Sequence, residues 1–141
     1  MLAFNIDFMP HSVYTDGGAR GNPGPAASGF VIYKGGEIIA REGKYLGVAT
    51  NNQAEYNAIL LGLEKAQNLK ITELDCFLDS ELVVKQLKLE YKVKNKDLAA
   101  IFLKAWNLSK KFKRIKFHHI PREKNKEADK VVNEILDKHL L

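Results

Sequence analysis

The sequence predicts an α/β protein in which helices flank a mixed five-stranded sheet, with three antiparallel strands followed by two parallel ones. Two patterns predict this class. The first 46 residues contain three short strand segments separated by turn signals, and from there short apolar strands alternate with longer amphipathic segments. Three meandering strands followed by alternating helices and strands imply a mixed sheet covered by helices.

The three N-terminal strands are delimited by turn residues. The first is predicted to stop at Asp16-Gly17-Gly18, and residues 17–25, rich in Gly, Pro and Asn, are predicted to form a loop. Lys34-Gly35-Gly36 indicates a hairpin, because paired glycines tolerate the positive φ of tight turns. The predicted strands are Ser12–Thr15, Gly29–Tyr33 and Glu37–Arg41, the last of which could extend to Leu46.

The remaining elements follow from capping residues and apolar spacing. Asn51 or Asn52 is the expected N-cap of a helix that ends near Asn68. The later elements are predicted as a strand over Leu74–Leu78, helices over Ser80–Leu89 and Asp97–Phe112, a strand over Ile115–Ile120 and a last helix over Lys124–Lys138. The whole chain, residues 1–141, is predicted to be one domain with a short N-terminal extension, residues 1–10.

Composition excludes several classes of protein. Cys76 is the only cysteine, which excludes a disulfide scaffold and, with four histidines, argues against a structural zinc site. No stretch approaches the ~20 apolar residues of a membrane span. Residues 1–10 contain no basic residue and resemble neither a secretory signal nor a transit peptide. We therefore expect a cytoplasmic monomer with no membrane partner.

The charge is uneven along the chain. The net charge is +5, and residues 85–116 carry eleven of the Lys and Arg residues against only Glu90 and Asp97. A solvated helix face and a surface for a polyanion both explain this stretch.

Four acidic residues occupy unusual positions. Asp16 and Asp79 end predicted strands, Glu55 shares a helix face with apolar residues, and Asp129 borders the apolar face of the last helix. Each has an ordinary explanation when taken alone. Asp16 could be a turn residue, Asp79 an N-cap and Asp129 a flanking residue, and Glu55 could complete a capping box with Asn52 as the N-cap.

Taken together, the four acids indicate a metal site. If the first and fourth strands are neighbours, the carboxylates converge at one end of the sheet and repel one another. A divalent cation relieves this repulsion, and oxygen-only ligands select Mg²⁺ or Mn²⁺ over zinc. Nearby lysines favour a phosphate-bearing substrate. The residues alone therefore predict metal-dependent phosphodiester chemistry.

Four segments resemble, in order, the motifs of type 1 ribonuclease H. They are Tyr14–Ala26, Thr50–Tyr56, Leu78–Ser80 and Asn125–Asp129, and the resemblance extends over Ser12–Asp137. It is to the compact form of the family, found in archaea and some bacteria, which lacks the basic handle of other members. The resemblance implies a ribonuclease H-like fold with the five-stranded sheet predicted above.

The resemblance also implies an activity and its catalytic residues. Members of this family hydrolyse the RNA strand of RNA–DNA hybrids and leave 5′-phosphate and 3′-hydroxyl ends. By resemblance, Asp16, Glu55, Asp79 and Asp129 are the catalytic metal ligands for two Mg²⁺ ions, for which Mn²⁺ could substitute.

The substrate contacts are also carried over from the family. The residues implied are Gly17, Gly18, Ala19, Asn22, Thr50, Asn51, Asn52 and Glu81. Amide side chains suit this role because they both donate to and accept from the 2′-hydroxyl that marks RNA. Glu81 stands where many members carry Gln. Arg122 is a candidate auxiliary residue, in a short loop that lacks the His of some members.

Other functions remain open at this point. A nuclease of the same fold could also cut double-stranded RNA or RNA–DNA junctions, and a binding module could hold hybrids without cutting them. Binding alone would not need four acids. A basic structural protein would leave Glu55 unexplained.

Overall fold

The computed structural model describes residues 9–140, which form a five-stranded sheet in the order β3-β2-β1-β4-β5. β1, β2 and β3 are antiparallel, whereas β1–β4 and β4–β5 are parallel pairs. The strands are β1 (His11–Ala19), β2 (Gly24–Lys34), β3 (Glu37–Ala49), β4 (Glu73–Leu78) and β5 (Arg114–His119). The helices are α1 (Asn51–Asn68), α2 (Glu81–Leu87), α3 (Lys96–Ser109) and α4 (Lys126–His139). The predicted fold class is confirmed.

Helices cover both faces of the sheet. α1 packs on one face, where a Cβ added at Gly62 would lie 3.1 Å from Cγ2 of Val13. α4 packs on the other face through Val132 and Leu136. The main core lies between α1, α2, α3 and the sheet, and its largest fully buried side chains include Tyr56, Ile32, Ile59, Leu63, Leu74 and Leu78.

The prediction that β1 stops at Asp16 was wrong, and the loop predicted over residues 17–25 is confined to residues 20–23. β1 continues to Ala19 and pairs with β2 from Asp16–Gly29 to Ala19–Ala26. Gly17, which follows Asp16, does not form a turn but allows α1 to approach β1 closely. A Cβ on Gly17 would lie 2.2 Å from the carbonyl carbon of Ala54, so only glycine lets α1 sit this close to β1.

The predicted helix caps also need correction. The N-cap of α1 is Thr50, which forms a capping box with Gln53, and not Asn51 or Asn52. The N-cap of α2 is Ser80, whose hydroxyl accepts from the Val83 amide. Helix capping therefore does not explain the positions of Glu55 and Asp79.

Two helix boundaries differ from the prediction as well. α3 ends at Ser109 rather than near Phe112, and α4 begins at Lys126 because Arg122–Lys124 forms a separate turn of 3₁₀ helix. Among residues 9–140, no helix is long and apolar enough to cross a membrane. Residues 1–8 of the predicted N-terminal extension lie outside the described residues.

Candidate metal centre and nucleic-acid cleft

Three of the four acids meet where β1, β4 and α1 converge. β1 and β4 are neighbours with Thr15 opposite Leu78, so the next residues, Asp16 and Asp79, lie side by side. Glu55 reaches the same point from the first turns of α1. One carboxylate oxygen from each of the three lies within 4.8 Å of the others. The convergence expected from the sequence is present.

Asp129 joins this group from α4. It lies outside the tight set of three but lines the same cleft, where its charge helps to raise the pKa of Asp16. The cleft therefore brings together all four predicted acids, with Asp129 on the α4 side.

Burial and mutual repulsion shift the proton affinities of the acids. Asp16 and Glu55 are each only 8% exposed. Burial, followed by the charges of Asp79 and Asp129, raises the pKa of Asp16 to about 7. Burial and then Asp16 raise the pKa of Glu55 well above its usual range. The backbone amide of Gly17 lowers both pKa values and only partly opposes these effects.

The donor set fits a divalent cation. Among residues 9–140, Oε2 of Glu55 is buried and has no hydrogen-bond partner. A buried oxygen without a donor is costly, and a cation would satisfy it together with the charges of Asp16 and Asp79. Carboxylate oxygens without nitrogen or sulfur ligands suit Mg²⁺ or Mn²⁺.

Asn125 is a site residue to which the sequence analysis assigned no role. Its side chain is 1% exposed, and Nδ2 donates to the Thr15 carbonyl at 2.8 Å and to Oδ2 of Asp79 at 3.0 Å. It therefore links β1, β4 and α4 and orients the Asp79 carboxylate. An Asn at the start of a helix predicts a cap, but Asn125 makes no side-chain capping bond.

The predicted substrate residues form the wall of the cleft next to the acids. Gly17, Gly18, Ala19, Asn51, Asn52 and Arg122 line the cleft, which has a volume of about 410 Å³. The Ala19 amide donates to Oδ1 of Asn51 at 2.8 Å, and the Asn51 amide donates to Oδ1 of Asn22 at 3.0 Å. These bonds hold both asparagines through their oxygens, which leaves their Nδ2 groups as donors for a ligand.

A second, smaller depression adjoins the cleft. It measures about 260 Å³ and is lined by Asn22, Thr50 and Asn52 together with the start of α3. The Thr50 hydroxyl is already engaged as the cap of α1.

Glu81 lies apart from these walls. It is exposed, and its Oε1 forms an ion pair with Nζ of Lys85 at 3.0 Å. Neither the cleft nor the adjoining depression includes it among its lining residues.

Comparison with known proteins identifies relatives across nearly the whole chain. A family model described as reverse transcriptase-like matches residues 14–135. Ribonuclease HI of Halobacterium salinarum is 42% identical over 125 residues, which are 88% of this chain and 63% of that protein. The bifunctional protein Rv2228c of Mycobacterium tuberculosis is 39% identical over 127 residues, 89% of this chain but only 35% of that protein.

Solved structures agree closely in fold. The N-terminal RNase H domain of Rv2228c has a TM-score of 0.89 at 38% identity, with 92% of this chain and 95% of that chain covered. LC11-RNase H1, solved in complex with an RNA/DNA hybrid, has a TM-score of 0.88 at 43% identity, with 93% and 99% covered. With its acid cluster and its four motifs in order, the chain belongs to the type 1 ribonuclease H family.

Proposed function

We propose that this chain is a metal-dependent endoribonuclease that hydrolyses the RNA strand of RNA–DNA hybrids and leaves 5′-phosphate and 3′-hydroxyl ends. The observation that carries the proposal is the convergence of four carboxyl groups, two of them buried, beside a wall of amide side chains. The LC11-RNase H1 complex with an RNA/DNA hybrid supports the choice of substrate.

The acids form the metal site in this proposal. Asp16, Glu55, Asp79 and Asp129 would hold two divalent cations, Mg²⁺ or Mn²⁺. Such cations lower the pKa of water and offset the charge that develops on the phosphate during in-line displacement. Asn125 holds the Asp79 carboxylate in place through Nδ2. Asp129 completes the set from the α4 side, where it lines the same cleft.

The amide wall would distinguish RNA from DNA. The Nδ2 groups of Asn22 and Asn51 suit a 2′-hydroxyl or the minor-groove edge of a base. The backbone of Gly17, Gly18 and Ala19 forms the adjoining wall.

The other predicted substrate residues would contact the phosphate groups of the duplex. Thr50 and Asn52 border the smaller depression, which would receive a phosphate of the DNA strand. Arg122 stands at the cleft with no ion-pair partner among residues 9–140, so its charge is available for a phosphate. Glu81, tied to Lys85, would make at most a peripheral contact.

We further propose that the protein acts as a monomer in the cytoplasm. Its one cysteine, Cys76, is buried and unpaired, which is compatible with a reducing compartment.

The substrate is tested with matched duplexes of one sequence, each with one end-labelled strand. The set comprises an RNA–DNA hybrid labelled on either strand, double-stranded RNA, double-stranded DNA and an RNA–DNA junction, all with Mg²⁺. We expect cutting of the RNA strand of the hybrid, with products that carry 3′-hydroxyl ends. Tight binding of the hybrid without cutting would replace the proposal by a binding module. Faster cutting of double-stranded RNA or of the junction would replace the proposed substrate.

A further inference from the structure

Leu89 occupies a backbone position that normally selects glycine. α2 ends in a Schellman motif, in which the Leu89 amide donates to the Gln86 carbonyl at 3.0 Å and the Glu90 amide donates to the Lys85 carbonyl at 2.8 Å. Leu89 has φ of 64°, in the left-handed region that favours glycine or asparagine. Its side chain is nevertheless 62% exposed. The fold thus tolerates backbone strain at Leu89 without burying its side chain in return.

Leu89 borders a groove that the proposed nuclease function does not use. The groove has a volume of about 460 Å³ and lies between the end of α2, the end of α3 and the strand β5. Its apolar surface comes from Leu89, Trp106, Ile115 and Phe117. It shares no lining residue with the acidic cleft. The groove is therefore a separate surface.

The charged groups of the groove are all basic. Lys88, Lys110 and Lys116 line it, and no acidic residue does. None of these lysines has a carboxylate within 4.0 Å among residues 9–140. All three belong to the basic stretch of residues 85–116, and none of them lines the acidic cleft or the adjoining depression. The complementary partner is therefore an anion.

The groove also runs along a free strand edge. β5 is the last strand of the sheet and pairs only with β4. The consecutive residues 115–118 border the groove, so the backbone of β5 forms one of its walls. Unpaired strand edges accept an added strand through main-chain hydrogen bonds, while alternate side chains enter pockets.

We propose that this groove docks an extended, acidic peptide segment that carries apolar side chains at alternating positions. The peptide backbone pairs with β5, its apolar side chains contact Leu89 and Phe117, and its carboxylates meet Lys88 and Lys116. A nucleic acid fits less well, because half of the groove wall is aliphatic or aromatic and the Trp106 ring already carries Nζ of Lys110 at 4.5 Å from its centroid. Docking there would attach the chain to another protein and leave the acidic cleft open.

The test measures binding of a short fluorescein-labelled peptide of alternating Asp and Leu by fluorescence anisotropy. Three single variants are compared with the wild type: Leu89→Gly, Lys116→Glu and, as a matched control, Lys104→Glu. Lys104 is exposed on α3 and does not line the groove. We expect Leu89→Gly and Lys116→Glu to weaken binding by about tenfold or more, and Lys104→Glu to leave it within about twofold. The same peptide with alternate backbone amides N-methylated should lose binding, because it cannot pair with β5.

Leu89→Gly supplies a second readout that separates docking from folding. Because glycine relieves the left-handed strain, the variant should unfold at a temperature about 2–4 °C above the wild type while it binds the peptide less well. An unfolding temperature below that of the wild type would show that Leu89 serves the fold, and would overturn the inference.

Three further results would overturn the proposal. One is that Leu89→Gly binds the peptide with the affinity of the wild type. Another is equal weakening by Lys116→Glu and Lys104→Glu, which would indicate unspecific attraction to a basic protein. The third is a single-stranded oligonucleotide that binds more tightly than the peptide and is weakened by the same groove variants, which would assign the groove to nucleic acid. Hybrid cleavage is measured separately, so failure of the docking proposal and failure of the nuclease proposal remain distinguishable.

Discussion

Substitution of Gly17 by alanine tests how the fold assembles the acidic cleft. A Cβ at this position would lie 2.2 Å from the carbonyl carbon and 2.4 Å from the amide nitrogen of the Ala54–Glu55 peptide group. Ordinary van der Waals contact begins at 3.4 Å, so the start of α1 would have to withdraw from β1 by more than 1 Å. We expect a loss of stability of roughly 1–3 kcal/mol, as for other overpacked sites.

The same displacement would move Glu55 away from Asp16. A misplacement of about 1 Å in a catalytic group can reduce activity roughly 100-fold, so Gly17→Ala should lose metal affinity and cleavage as well as stability. Urea unfolding and hybrid cleavage measure the two effects.

Gly18→Ala is the matched control for this substitution. The nearest atom to a Cβ at Gly18 is Cγ1 of Val132, at an unstrained 3.8 Å, so the control should keep wild-type stability. Equal stability of Gly17→Ala and Gly18→Ala would refute the argument that glycine is needed for the approach of α1.

Three further predictions concern the charges of the cleft. The pKa of Asp16 is about 7 in the folded protein and 3.8 for an unperturbed Asp side chain, so the stability of the metal-free protein should fall as pH rises from about 4 to above 7. Added Mg²⁺ should therefore raise the unfolding temperature more near pH 8 than near pH 5. Calorimetry with Mg²⁺ and with EDTA measures this difference, and an equal effect of the metal at both pH values would contradict the prediction. Asp16→Asn should stabilise the metal-free protein by about 2 kcal/mol near pH 8 in urea unfolding, since it removes a repelling charge, and a loss of stability would contradict the repulsion. Asn125→Asp should cost about 2–4 kcal/mol near pH 8, because the donor is lost and a second buried carboxylate faces Asp79, and the cost should be smaller at lower pH, where more of the new carboxyl carries a proton. A cost independent of pH would contradict this repulsion.

Much of the site could be predicted because the unusual positions of its acidic residues are visible in the local sequence pattern. The apolar residues that share a helix face with Glu55 are visible in the spacing of α1, and the strands that lead to Asp16 and Asp79 are visible as short apolar runs. Their convergence required only that β1 and β4 be neighbours, which the strand order confirms. The sequence pattern therefore predicts which acids converge.

The extent of β1 could not be predicted from local pattern. Gly17 and Gly18 have the sequence of a turn, and the contact that makes Gly17 necessary comes from Ala54, far along the chain. The prediction of the first helix cap was wrong for a related reason. Thr50, Asn51 and Asn52 are all good capping residues, and the choice among them depends on the bonds of Asn51 to Ala19 and Asn22 across the cleft.

Asn125 escaped prediction because its role is tertiary. An asparagine before a helix is common at N-caps, and nothing in its immediate neighbours shows that its amide points to Thr15 and Asp79. Buried side chains that link three elements become visible only when the elements are packed.

The rate at which a labelled RNA strand is cut within a hybrid, measured at increasing Mg²⁺ for the wild type and for Asp16→Asn, tests the central claim most directly. The acid cluster predicts cutting that rises with Mg²⁺, stops with EDTA and is lost in Asp16→Asn although that variant is folded and at least as stable as the wild type. Cutting that persists in EDTA, or that continues at the wild-type rate in Asp16→Asn, would contradict the assignment of these carboxylates as the catalytic metal centre.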